Sequence, residues 1–73
     1  MTIRLYIEQL ISEGHQIARV AIPALYGFTG TSMLAGGFSI VVEIRDFEEP
    51  DVCEFYSQSG TLVARARGFD GAI

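Results

Sequence analysis

Phe38-Ser39-Ile40-Val41-Val42-Glu43-Ile44-Arg45-Asp46 is the stretch on which the fold turns. Its alternation predicts a strand across 38–46, with Ile40, Val42 and Ile44 turned to a core. Ser39, Val41, Glu43 and Arg45 turn away. Upstream, Gln16-Ile17-Ala18-Arg19-Val20-Ala21-Ile22 also reads as a strand. Ala18, Val20 and Ile22 share one face, and Ile17, Arg19 and Ala21 the other. Both faces are mostly apolar, which fits a central strand covered on both sides. Pro23 ends it or marks an irregularity. These two strands are expected to pair antiparallel around the intervening loop.

That loop, 27–37, holds four of the eight glycines, at Gly27, Gly30, Gly36 and Gly37. It is expected to be flexible, with Met33 and Leu34 near its middle free to insert into a partner groove. Downstream of the strand, Asp46–Asp51 carries the signals of a helix start. Pro50 fits the first helical position, and the acids suit the positive end of a helix dipole. Val52, Phe55 and Tyr56 would then form the buried stripe of a short helix. The competing reading is a strand at 52–56 with Ser57-Gln58-Ser59-Gly60 as a hairpin turn; the helix is preferred.

Residues 61–67 predict a last strand, with Leu62, Ala64 and Ala66 inward and Val63, Arg65 and Arg67 outward. It could lie parallel or antiparallel to its neighbours. The tail Gly68–Ile73 ends apolar and is expected to dock. At the other end, Ile3, Leu5 and Ile7 alternate like a strand. Ile3, Tyr6, Ile7, Leu10 and Ile11 also make a helical stripe, which Gly14 would stop. The helical reading is preferred for at least Glu8–Glu13. The whole is an α+β sheet with helices on one face.

Seventy-three residues allow a single small domain. Such a chain buries only about 60% of its unfolded surface. Yet 49% of its residues are hydrophobic, and its mean hydropathy is +0.33. Part of that apolar load is expected in a subunit or partner interface. Nine acids against five arginines and no lysine give a net charge of −4. This argues against nucleic-acid binding and against a polybasic membrane patch. Five of the nine acids lie between Asp46 and Glu54. The apolar runs near Met1 are too short and too broken by Glu8 and Glu13 for a signal peptide or a membrane span, so a cytoplasmic location is expected.

Several chemistries find little in the sequence. The lone Cys53 excludes an internal disulfide and a cysteine zinc cluster, and reads as a packing residue. The single His15, beside Gly14, is a polar turn residue at a helix C-terminus. One histidine and no nucleophile-elbow spacing leave no support for a hydrolase triad, so no enzymatic activity is expected. Glu48, Glu49 and Asp51 do not follow a calcium-loop spacing.

The run Leu10–Gly14, the segment Leu25-Tyr26-Gly27-Phe28-Thr29-Gly30-Thr31-Ser32, the strand Ile40–Asp46 followed by acids, and Gly60-Thr61-Leu62-Val63-Ala64-Arg65 together resemble the PII-like signalling proteins. The resemblance covers roughly residues 10–67. It implies a ferredoxin-like fold, strand-helix-strand-strand-helix-strand, here trimmed at the N-terminus. It further implies a homotrimer that binds an adenine nucleotide as effector in a cleft between subunits and signals to a protein partner. No other cofactor is implied. Gly27, Thr29, Gly30, Thr31 and Ser32 would line the anion site, through backbone N–H groups and hydroxyls. Arg65 and Arg67 would reach the phosphates. The alternative is a small acidic protein-binding or inhibitor module. It would present Glu48, Glu49 and Asp51 to a basic partner, with Met33 and Leu34 as further contacts.

Overall fold

A computed structural model describes residues 1–73. Helix α1 spans Ile3–Ser12 and is followed by five strands: β1 Arg19–Ile22, β2 Ser32–Ala35, β3 Phe38–Ile44, β4 Val52–Tyr56 and β5 Leu62–Arg67. The strands form one mixed sheet in the order β2-β3-β1-β4-β5. The result is an α+β domain with one helix on one face of a five-stranded sheet. Its first element is a helix rather than a strand, and it has no second α-helix, so the element order departs from the ferredoxin-like expectation.

The helical stripe outcompetes the strand-like alternation at the N-terminus because both helix ends find partners for their orphan groups. Thr2 Oγ1 accepts from the N–H of Leu5 at 3.2 Å. The N–H groups of Ile3 and Arg4 donate to the carbonyls of Gly71 and Ala72 in the tail, each at 2.9 Å. At the far end Gly14 adopts φ 95, where a side chain would be strained. Its N–H donates to Ile11 O, and that of His15 to Leu10 O, closing a Schellman motif. Ile3, Ile7 and Leu10 are buried. They join Val20, Ile22, Ile40, Val42, Cys53 and Phe55 in the core. The apolar tail docks as expected, with Ala72 buried and Phe69 packed on the core.

β1 and β3 are neighbours, but they run parallel, with Val20 opposite Val42. The expected antiparallel pairing is wrong because the Gly-rich stretch is not all loop. From Ile22 the chain passes through Pro23 and a 3-10 turn at Ala24–Tyr26. It then forms β2 on the far side of the position β3 will take, and returns through Gly36-Gly37. β3 thus slots between β2 and β1, antiparallel to the first and parallel to the second. Within β2, Met33 and Ala35 point into the core while Leu34 is 64% exposed. The expectation of a free Met33 in a mobile loop is therefore overturned. Four alternating residues among glycines are too short a signal to read as a strand alone, and β3 supplies the ladder that holds them.

The preferred helix after Asp46 is also replaced, by the competing strand. Val52, Cys53 and Phe55 are all buried: Cys53 and Phe55 join the core on the helix-covered face, and Val52 is shielded on the other. A helix of this length would not recover its nucleation cost, whereas β1 and β5 offer it ladders on both sides. Pro50 and Asp51 instead make a turn, with Asp51 at φ 67. Asp51 Oδ2 accepts from the N–H of Gly68 at 2.9 Å, tying that turn to the end of β5. In β5 a bulge at Val63, across from the Phe55–Tyr56 step of β4, sets Phe55 opposite Ala64 and Tyr56 opposite Leu62. Leu62 is thereby displaced from its expected inward position to an exposed one, and Val63 packs on the core instead. Ile44, also expected inward, is exposed at the end of β3.

Candidate functional site

α1 leaves one face of the sheet open, and strand alternation decides what that face displays. Arg19 on β1 lies between Val41 of β3 and Tyr56 of β4. Two residues on, Ala21 lies between Glu43 and Glu54. Glu54 stands opposite Arg65, and Val52 opposite Arg67. Four of the five arginines therefore gather on or beside this face: Arg19, Arg65 and Arg67 by register, and Arg45 by its ion pairs to Glu43 and Glu54.

Three of those guanidinium groups are occupied. Arg65 Nε donates to Glu54 at 3.2 Å, and its Nη1 lies 3.6 Å from Glu49. Arg67 reaches the same Glu49 carboxylate at 3.7 Å. Arg45 pairs with Glu43, and more loosely with Glu54 at 3.8 Å. The ring of Phe47 sits against both Arg45 and Arg65, at 5.6 and 6.0 Å from its centroid. Tyr56 donates its hydroxyl to Glu54. That bond, and to a lesser degree burial, raises the Tyr56 pKa. Hydrogen bonding to Glu43 and then to Tyr56 pushes the Arg45 guanidinium up in turn.

Arg19 differs from the others in making no ion pair. Together with Val41, Arg45 and Tyr56 it lines a shallow hollow closed at one end by the Ser57–Gly60 turn. Ser57 and Ser59 bring hydroxyls to that rim, 2.9 Å from each other. The hollow thus offers an unpaired guanidinium, a second one held in a surface ion pair, an aromatic ring and two hydroxyls. It is suited to carboxylate-bearing groups.

The residues expected to form an anion site are split between two places. Gly27, Thr29, Gly30 and Ser32 line a separate hollow with Tyr26, Phe28, Ala72 and Ile73, and no arginine lines it. Thr31 is engaged in the sheet, its carbonyl accepting from the N–H of Val42. A Cβ on Gly30 would lie 3.1 Å from the tip of the Phe28 ring, a tight contact to which that ring would have to yield. Arg65 and Arg67 sit on edge strand β5, held by Glu49 and Glu54.

The acidic segment is largely spent within the fold. Asp46 accepts from the N–H of Ala24, Asp51 from Gly68, and Glu49 and Glu54 hold arginines. Glu48 alone among these five acids makes no hydrogen bond or ion pair. Of the two apolar residues expected at a partner surface, Leu34 is exposed and Met33 is not. Arg19, Arg45, Phe47 and Tyr56 were not singled out from the sequence. The outward positions of Arg19 and Arg45 in their strands were the available signal.

Cys53 lies fully buried in the core. Burial first, and the nearby Asp51 charge second, push its thiol up from 9.0 to about 12. Two outcomes are expected. A thiol reagent at neutral pH should label the native protein far more slowly than the unfolded one. As pH rises from about 9 towards 12, the unfolded thiol loses its proton while the folded one keeps it, so stability should fall across that window. Urea titrations with Cys53→Ser as the reference would read this directly.

No helix is long and apolar enough to cross a membrane. Among known proteins, no family model, no curated protein and no solved structure matches the chain.

Proposed function

We propose that this chain is a small non-catalytic binding module that recognises an acidic segment of a protein partner on the open face of its sheet. The observation that carries this reading is Arg19. It is a guanidinium without an acidic partner, between Val41 and Tyr56, at a hollow rimmed by serine hydroxyls. Exposed Val41 and Leu62 supply apolar contact on the same face. Glu43, Glu49 and Glu54 offset Arg45, Arg65 and Arg67 there, so the positive charge this face has to offer is that of Arg19. A carboxylate of an acidic partner would find its free counter-charge at Arg19. The reading goes with a cytoplasmic setting, in which a lone buried thiol stays reduced.

Nucleotide sensing in the manner of the PII-like proteins is the competing reading. It would use the Gly27–Ser32 hollow, which lacks a lining arginine.

Backbone NMR titration separates the two. The probes are a Glu/Leu-rich dodecapeptide, its Lys/Leu counterpart, ATP and ADP. The acidic peptide should shift Arg19, Val41, Tyr56 and the Ser57–Gly60 turn, and high salt should weaken the effect. Arg19→Glu should reduce its affinity by about tenfold or more, as expected for loss and reversal of a charge-assisted contact. Absence of shifts with the acidic peptide would overturn the proposal. Shifts with ATP at Gly27–Ser32 alone would restore nucleotide sensing.

A further inference from the structure

We propose that the outer edge of β2 is a self-association site, where two copies join antiparallel into one continuous ten-stranded sheet. The ladder geometry exposes the groups that would do this. Thr31 O accepts from Val42 N–H at 2.9 Å, and the register runs on through Ser32 opposite Val41 to Ala35 opposite Phe38. In an antiparallel pair, alternate residues turn both backbone groups toward the partner. Thr31, Met33 and Ala35 therefore face β3. Ser32 and Leu34 hold their N–H and C=O groups outward, and no neighbouring strand takes them up.

Glu8 of α1 takes up the outward N–H of Gly36 just past the strand, at 3.2 Å, but along β2 itself the usual protection is lacking. From Thr29 to Gly37 there is no charged residue and no proline, and β2 pairs with β3 without a bulge. Leu34 adds an exposed apolar side chain on the open face.

The opposite edge is guarded. β5 carries Arg65 and Arg67 and a bulged ladder. Pairing it with a second copy would bring arginines of the two chains together, a repulsive arrangement. A second copy at β2 meets no such cost. A two-fold axis at Met33 sets Ser32 of each chain opposite Leu34 of the other. All four outward N–H groups then find carbonyls, and the two leucines lie diagonally adjacent on the open face. The occupant is thus a second copy of this chain, and the association is a closed dimer because each β2 has one free edge.

Sedimentation equilibrium from low to several hundred micromolar tests this independently of acidic-peptide binding. The wild type should move from monomer to dimer with concentration. Ser32→Pro removes an outward N–H at a position where an edge strand tolerates proline. Leu34→Lys places a charge on the edge without touching the backbone. Each should raise the dimer dissociation constant at least about tenfold, while Arg65→Glu leaves it unchanged. If Ser32→Pro lowers the helical and sheet content by circular dichroism, Leu34→Lys alone decides. A wild type that stays monomeric at several hundred micromolar would overturn the proposal. So would a dimer that survives Leu34→Lys, or a trimer of the kind the PII-like resemblance implies.

Discussion

Phe55→Ala should lower the unfolding free energy by about 3–5 kcal/mol, the range for truncating a buried aromatic. Phe55 is the largest fully buried side chain in the protein. It sits on β4 between β1 and β5. Its ring lies 5.0 Å from that of Tyr6 on α1 and 6.1 Å from that of Phe69 in the tail, so helix, sheet and tail converge on it. Stabilities run at roughly 0.05–0.15 kcal/mol per residue, so for a domain this small the loss is comparable to the total. The variant should be largely unfolded at 37 °C by circular dichroism. A two-state urea transition displaced by less than about 1 kcal/mol would contradict the convergence of those three elements on one ring.

Met33→Ala should cost about 2–4 kcal/mol, while Leu34→Ala in dilute solution should cost within about 0.5 kcal/mol. Dilution matters because self-association would stabilise the wild type by mass action. The two residues are adjacent in sequence and opposite in exposure, at 6% and 64%. An edge strand with one face on the core separates neighbours in this way. A mobile loop would render both substitutions nearly neutral. The pair of urea midpoints therefore tests β2 itself, and with it the crossover that makes β3 parallel to β1.

Much of the sheet was legible because strand signals are local. The alternation at Ile40 and Val42 and the doubly apolar run Val20–Ile22 each depend on spacings of one or two residues, and both appear in the fold as central strands. The helical stripe at Ile3, Ile7 and Leu10 is likewise a matter of local period. The preference for a helix after Asp46 failed for a non-local reason. Cys53 and Phe55 are buried only because β1, β5 and the covering helix surround them. Leu62 failed because a single bulge reverses the facing of residues beyond it.

The candidate site was less legible than the fold. Arg65 and Arg67 were visible as outward arginines on an edge strand, but their commitment to Glu49 and Glu54 depends on the β4–β5 register and on the turn at Pro50-Asp51. Arg19 stood out only once its neighbours in space were known to be Val41 and Tyr56 rather than carboxylates. By itself, the sequence determined an acidic, lysine-free α+β chain and the two inner strands, and offered an N-terminal helical stripe beside a strand-like alternation, since composition and short-range periodicity are properties of the chain. Tertiary structure decided strand order, the parallel β1–β3 pair and the paired or unpaired state of each arginine. Those outcomes depend on which distant backbone ladders close around a shared core, and no local pattern carries that competition.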